Sequence, residues 1–251
     1  MTAGPLLFAR YAYPPNSLGY CGADETRTLL QYGSAGASDG GLAELARTFE
    51  GAWPYLTLIA SANEIADPLD PRVVEAYWVG NGLLRRVSRD VLARHVEDRF
   101  SGRIGRSWRG LLDAVGAGAV PHHSFHVFAV YPWLGLMRTG VVDQPLHVLD
   151  QCRTTPAVVQ SVDGDRLTVR ARRLLWDGRN LTLGPWTPRE VRWRDDGLSL
   201  VAAATPGDWV SIHWDFVCDR LTRSAAATLD RVTRTVLTSV NASTSTAAAL
   251  S

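Results

Sequence analysis

The 251-residue chain contains no lysine, and all 26 of its basic residues are arginine. This absence excludes lysine Schiff-base chemistry and a Walker-type phosphate loop, because both require the lysine ammonium group. The 25 acidic residues almost balance the arginines, and the formal net charge of +1 provides no overall basic field. We therefore expect no nucleic-acid partner.

Long apolar runs and closely spaced cysteines are also missing. No stretch approaches the ~20 apolar residues of a membrane span, and the first residues lack the basic head and apolar stretch of a signal peptide. The three cysteines, Cys21, Cys152 and Cys218, are odd in number and far apart, which argues against a disulfide framework. These absences predict a cytoplasmic protein with no membrane partner.

Hydrophobic periodicity predicts an α+β protein whose first part, residues 1–147, is a mostly helical domain. One helix is marked by Asp70 as its N-cap and by Pro71 in its first turn. Residues 1–20 are rich in proline, glycine and tyrosine and are predicted to be irregular. The sequence assigns no role to this domain beyond recognition of a partner.

The second part, residues 148–240, consists of short β-rich runs separated by turn signals such as Asp163-Gly164. Several short strands at this spacing are typical of a small barrel. A helix is predicted over Thr222–Leu237. Residues 241–251 are polar and rich in alanine, serine and threonine, and we expect a disordered tail there.

Two motifs in the second part form a recognisable pattern. The first, Cys152-Arg-Thr-Thr-Pro156, leads into a strand, an Asp-Gly turn and another strand. The second is Pro206-Gly-Asp-Trp-Val-Ser-Ile-His213-Trp-Asp-Phe216, and a predicted helix follows it. In this order the two motifs resemble the HypC/HupF family of [NiFe]-hydrogenase maturation chaperones over residues 148–240.

The resemblance implies an OB-like β-barrel that acts as a chaperone or scaffold rather than as an enzyme. In that family a cysteine and a histidine help to hold an iron that carries cyanide and carbonyl ligands. The protein passes this iron from a maturation factor such as HypD to the hydrogenase large-subunit precursor. By position, Cys152 and His213 are the candidate iron ligands, a soft thiolate and a neutral imidazole. The candidate partner-binding residues are Pro156, Trp214 and Phe216.

The chain also departs from the family pattern. The family's cysteine stands at the mature N-terminus, whereas Cys152 is internal and is predicted at the start of a strand. Ala157 and Asp215 occupy positions where the family has glycine. As a whole, the chain is similar to an uncharacterised actinobacterial family that shares the segment from Phe8 to Gly22. These departures leave open whether the site holds iron or the barrel is a metal-free interaction module.

A second candidate metal site comes from His122, His123 and His126, which would support a metal-dependent enzyme. The plainer interpretation is a set of hydrogen-bonded histidines beside a packed aromatic segment. Cys21 lies in a turn-like context and is a further candidate ligand. Cys218 is predicted to pack as a small hydrophobic residue.

Overall fold

The structure is a computed structural model that describes residues 2–22, 26–101 and 108–249. Helices come first, a mixed sheet follows, and one long helix ends the described chain, which confirms the α+β prediction. The helices are α1 (Gly4–Ser17), α2 (Thr26–Ala35), α3 (Gly40–Arg47), α4 (Trp53–Ala62), α5 (Pro71–Trp78), α6 (Arg89–Phe100), α7 (Trp108–Gly116), α8 (His123–Phe125), α9 (Trp133–Arg138), α10 (Asp143–Cys152) and α11 (Arg223–Ala249). A 3₁₀ turn spans Gly82–Arg86, and a π-helical turn spans His126–Val130.

The strands lie between α10 and α11. They are β1 (Thr155–Asp163), β2 (Arg166–Trp176), β3 (Leu181–Arg192), β4 (Arg194–Asp195), β5 (Leu198–Ser199), β6 (Trp209–His213) and β7 (Phe216–Leu221). Pairing in the main sheet follows the order β1-β2-β3-β7-β6, and β6 pairs in turn with β1. The β3–β7 pairing is parallel and consists of Arg192 opposite Phe216, whereas the other pairings are antiparallel.

The prediction of an irregular segment over residues 1–20 is wrong, because Gly4–Ser17 forms the buried helix α1. Pro5 stands in the first turn, where the helix needs no N–H donor. Pro14 and Pro15 fall in the last turn and remove two N–H donors without interrupting the helix centre. Phe8 and Tyr11 are fully buried, so packing rather than local propensity determines the helical state here.

The two predicted parts share one apolar core. The boundary placed near residue 147 falls inside α10, and the main cluster of buried side chains runs from α1 to Phe216 and Cys218 in β7. A smaller cluster fills the inside of the sheet, with Val169, Val191 and Val210 among its members. The junction between helices and sheet is therefore part of a continuous cluster of buried apolar side chains.

The C-terminal helix is longer than the sequence suggests. It begins as predicted, with Thr222 Oγ1 accepting from the Ala225 N–H at 3.1 Å, but it continues to Ala249, where a disordered tail from residue 241 was the expectation. Asn241 accepts from the Leu181 N–H at 3.0 Å and donates to the Leu181 carbonyl at 2.9 Å. This pairing to β3 fixes the helix, and the alanines beyond it have high helix propensity.

Within the described ranges, no helix combines the length and the apolar character needed to cross a membrane.

Candidate metal centre

Three buried side chains from three different elements meet at the junction between the helices and the sheet. They are His123 at the start of α8, Cys152 at the end of α10 and His213 at the end of β6. One ring nitrogen of each histidine and the Cys152 Sγ all lie within 4.8 Å of one another. The three residues expose only 5%, 8% and 1% of their surface, respectively. We call this group the candidate metal centre.

The His213 ring is held in one tautomer by the first helix. Its Nδ1 lies 2.8 Å from the Tyr11 carbonyl oxygen, which can only accept, so Nδ1 carries the proton. Nε2 is therefore left with a free lone pair, and this atom is buried without a hydrogen-bond partner among the described residues. Metal-binding histidines commonly donate their other N–H to a backbone carbonyl in this way.

His123 is fixed at both ring nitrogens. Its Nε2 donates to the Cys152 carbonyl at 2.8 Å, and its Nδ1 accepts from the Tyr77 hydroxyl at a longer 3.2 Å. The backbone-carbonyl partner again fits the support of a ligating imidazole. Because the remaining lone pair already accepts from Tyr77, a metal at Nδ1 would displace that hydroxyl. Among the three candidate ligands, His123 is therefore the one that must first give up a side-chain hydrogen bond.

Cys152 supplies the only sulfur of the group. It ends α10, so the prediction that it begins a strand is wrong; β1 starts three residues later, at Thr155. Burial raises the pKa of the Cys152 thiol to about 12, with a smaller contribution from Cys21. The thiol is therefore protonated and unreactive at neutral pH, and binding of a metal would release its proton.

Burial also keeps the imidazoles neutral, as metal ligation requires. It lowers the pKa of His213 to about 4 and the pKa of His123 well below its ordinary value, to which nearby His213 also contributes. Two neutral imidazoles and a thiolate would carry a single negative charge between them. This donor set suits zinc, iron or another borderline-to-soft transition metal.

Aromatic rings enclose the candidate metal centre. The Trp78 ring centroid lies 4.4 Å from that of His123 and 5.6 Å from that of His213. Trp214 follows His213 in the chain and is covered by Tyr20, whose ring stacks on it with centroids 4.2 Å apart. The Trp214 indole N–H bonds to the Cys152 thiol and opposes the rise in its pKa, whereas Trp78 Nε1 is buried without a hydrogen-bond partner among the described residues. One indole N–H donor therefore remains unused near the group.

Trp214 and Asp215 form the two-residue turn between β6 and β7. Both have positive φ, +51° and +53°, a conformation that favours glycine or asparagine and is strained for tryptophan. Gln151 Nε2 and Arg189 Nε each donate to the Asp215 carboxylate at 2.5 Å, and the Trp214 N–H donates to the Gln151 carbonyl at 2.8 Å. The turn that carries His213 is thus tied to the residue that precedes Cys152.

A buried ion-pair network holds the end of α10. Asp150 Oδ1 accepts from Arg153 at 3.0 Å and from the Leu174 N–H at 2.9 Å, and Oδ2 lies 3.4 Å from both Arg173 and Arg189. Burial opposes ionisation of Asp150, but Arg153 and Arg189 outweigh it, so its pKa is lowered. No motif in the sequence predicted this network. The sequence pattern that could have indicated it is Asp150-Gln-Cys-Arg153, in which polar residues flank a buried cysteine on both sides.

The structure separates the histidines of the second candidate site. His123 joins Cys152 and His213, whereas the Nδ1 of His122 accepts from the Ser124 N–H at 3.0 Å and caps α8. His126 packs instead against the rings of Tyr55 and Tyr131, with centroids 5.7 and 4.8 Å away. A three-histidine site is not formed by these residues, because α8 and the π-helical turn direct them to different surroundings.

The remaining cysteines lie outside the group. Cys21 is half-buried in the turn after α1, where its carbonyl accepts from Asn16 at 2.8 Å. Burial raises the pKa of the Cys21 thiol to about 12. Cys218 is fully buried in β7 and packs in the main core, as predicted for a small hydrophobic residue.

The candidate partner-binding residues are not on the surface. Phe216 is fully buried, with its ring 5.2 Å from that of Tyr13, and Pro156 and Trp214 are buried as well. Phe216 is covered by α1 and Trp214 by the turn after it, and Pro156 lies beside Asp230 and Thr233 of α11, so these three side chains form no exposed surface in this structure. Their role in binding a partner stays a prediction.

The fold and the buried group define an α+β protein with a candidate mononuclear metal site of two histidines and one cysteine. Residues 1–247 match DUF6390, a family of unknown function, and the chain belongs to that family. Comparison with curated proteins and with solved structures gives no match. The resemblance to HypC/HupF proteins therefore stays a prediction.

Proposed function

We propose that this chain is a metal-handling accessory protein that holds one transition-metal ion at His123, Cys152 and His213. The observation that carries the proposal is the convergence of these side chains on one buried point, with the His213 Nε2 lone pair unpartnered. The group contains no charged acid for general acid–base chemistry, and its thiol is protonated by burial. A site of this kind suits holding a metal better than activating a substrate.

We further propose that the metal is the iron cargo of [NiFe]-hydrogenase maturation, carrying cyanide and carbonyl ligands, and that the sheet with α11 acts as a HypC-like barrel. The two motifs that resemble the HypC/HupF family contribute Cys152 and His213, which are among the three grouped residues. The resemblance implies a small barrel followed by a helix. In support of this, the main sheet pairs in the order β1-β2-β3-β7-β6 and back to β1, and α11 follows it.

The unused Trp78 indole donor supports a cargo with an acceptor group of its own. Trp78 Nε1–H is buried beside the candidate metal centre without a partner among the described residues. The nitrogen of an iron-bound cyanide accepts hydrogen bonds, so this donor offers such a cargo a place that a bare metal ion would not use. A hydrogenase large-subunit precursor or a maturation factor such as HypD would then be the protein partner.

The experiment is anaerobic purification of the full chain from a hydrogenase-competent host, followed by metal analysis and infrared spectroscopy in the cyanide and carbonyl region. We expect iron and the diatomic-ligand bands in the wild-type protein and their loss in Cys152→Ala. Cys218→Ala is the matched control, since Cys218 is also buried but lies outside the group.

Other results distinguish the metal site itself from its proposed role in hydrogenase maturation. A bound metal without cyanide or carbonyl bands would overturn the maturation role and retain the metal site. A protein that is free of metal after purification and after anaerobic incubation with ferrous iron or zinc would overturn both, and would favour a metal-free interaction module. Iron that persists in Cys152→Ala would contradict the assignment of the thiolate ligand.

A further inference from the structure

A second group of unpaired polar atoms lies where α4, α6 and the π-helical turn meet. Four buried side-chain atoms have no hydrogen-bond partner among the described residues: Tyr55 Oη, His95 Nε2, Arg99 Nη1 and His126 Nδ1. The Tyr55 ring centroid is 5.2 Å from His95 and 5.7 Å from His126, and the Arg99 guanidinium carbon lies 5.8 Å from the same centroid. Buried polar groups are normally paired, so four together indicate a missing polar ligand.

This group opens to the surface through a pocket of about 430 Å³. The residues that line the pocket are Arg47, Glu50, Trp53, Pro54, His95, Asp98 and Arg99. His95 and Arg99 belong both to the lining and to the unpaired group, so they connect the solvent to the buried atoms. Two of the four residues of the unpaired group therefore form part of the pocket wall.

The charge of Arg99 sets the chemistry of the ligand. Its guanidinium has no carboxylate within ion-pair distance among the described residues, and its Nη2 donates to the Glu50 carbonyl, which fixes the side chain. The buried Tyr55 hydroxyl is a second donor without an acceptor among the described residues. Burial lowers the pKa of His95 to about 4 and of His126 to about 3, so both rings are neutral and adjust to either role.

We propose that the pocket binds the carboxylate of a small organic acid, with Arg99 and Tyr55 as donors and His95 at the entrance. Trp53 provides an apolar wall for the carbon skeleton and is itself held by Arg47, whose guanidinium carbon lies 5.6 Å from the indole centroid. Glu50 and Asp98, both exposed at the rim, oppose the higher charge of a phosphate dianion. A singly charged carboxylate is therefore the better fit.

The test is NMR titration of full-length protein labelled with ¹⁵N at its six histidines, using sodium benzoate at constant ionic strength. We expect saturable shifts of the His95 and His126 side-chain signals and at least tenfold weaker binding in Arg99→Gln. Arg94→Gln, which removes an exposed arginine from the same helix, should bind benzoate as the wild type does. Cys152→Ala should also bind normally, because this pocket is separate from the candidate metal centre.

Two further variants and one further anion make the test decisive. If Arg99→Gln does not fold, His95→Gln and Tyr55→Phe probe the same ligand and should each weaken binding. Absence of a saturable shift, or equal binding in all three variants, would overturn the proposal. Saturable binding of inorganic phosphate without binding of benzoate would overturn the assignment of a carboxylate.

Discussion

The Nδ1–H of His213 donates to the carbonyl oxygen of Tyr11 at 2.8 Å, across 202 positions of sequence. Within a helix this carbonyl would accept from residue 14 or residue 15, but both are proline and neither has an N–H. The Pro14-Pro15 pair in α1 therefore leaves Tyr11 available to His213. A sequence feature of the first helix thus orients a side chain at the far end of the sheet.

Pro15→Ala tests this link. The new N–H should compete for the Tyr11 carbonyl, loosen the His213 ring and weaken metal binding by about tenfold, as loss of a ligand's supporting hydrogen bond does. Alanine favours the helix, so the fold should remain intact. Metal titration measures the affinity, and ¹⁵N chemical shifts report the His213 tautomer. Pro5→Ala, which adds an N–H in the first turn of the same helix and away from Tyr11, is the control; equal affinities in both variants and the wild type would contradict the link.

Acid should destabilise the fold through its buried histidines. Burial lowers the pKa of His95 and His213 to about 4 and of His122 and His126 to about 3, from 6.5 in the unfolded chain. The unfolded state therefore binds protons first as the pH falls. The stabilising contribution of the neutral histidines should be complete above pH 6.5, and the free energy of unfolding should decrease as the pH falls from 6.5 to about 3.

Urea unfolding at a series of pH values measures this decrease. His126→Gln should make the dependence shallower, whereas His147→Gln, at an exposed position of α10, should leave it as in the wild type. A free energy of unfolding that stays constant from pH 6.5 to 4.5 would show that these rings are not neutral and buried as described.

We expect Tyr20 to limit access to the candidate metal centre. This residue is 58% exposed, and its ring stacks on Trp214, whose indole contacts the Cys152 thiol. Tyr20→Ala should speed the loss of bound metal to a chelator several-fold while the Cys152 and His213 ligands stay in place. Leu18→Ala removes another exposed apolar side chain from the same turn and should not change the rate. Equal rates for all three proteins would exclude Tyr20 as a cover.

The ion-pair network beside Cys152 should be important for stability. Arg189→Met removes one partner of the buried Asp150, which keeps Arg153 and Arg173, and one donor to the half-exposed Asp215, and we expect a loss of about 2–3 kcal/mol in the free energy of unfolding. Arg166→Met breaks an ion pair whose partners are 59% and 62% exposed and should cost less than about 1 kcal/mol. Urea denaturation compares them, and similar losses for the two variants would refute the assigned role of the network.

Local sequence signals predicted much of this molecule, and long-range contacts determined the rest. The Asp70 cap and Pro71 are in place, with Asp70 Oδ1 accepting from the Arg72 N–H at 2.9 Å, because capping depends only on neighbours in sequence. The helical state of Gly4–Ser17 was missed because burial against the sheet outweighs the cost of its prolines. The two motifs identified Cys152 and His213 as candidate ligands. Their proximity to His123 depends on how α8 packs, and no local sequence pattern predicts that packing.

The most direct test of the account is an anaerobic titration of the purified chain with cobalt(II), a spectroscopic substitute for the native metal, followed by absorption. We predict one cobalt per chain and a thiolate-to-cobalt charge-transfer band that is lost in Cys152→Ala and kept in Cys218→Ala. Affinity should rise as the pH is raised, because the buried thiol must release a proton to bind. A titration without saturable cobalt binding, or a band that persists in Cys152→Ala, would contradict the metal centre.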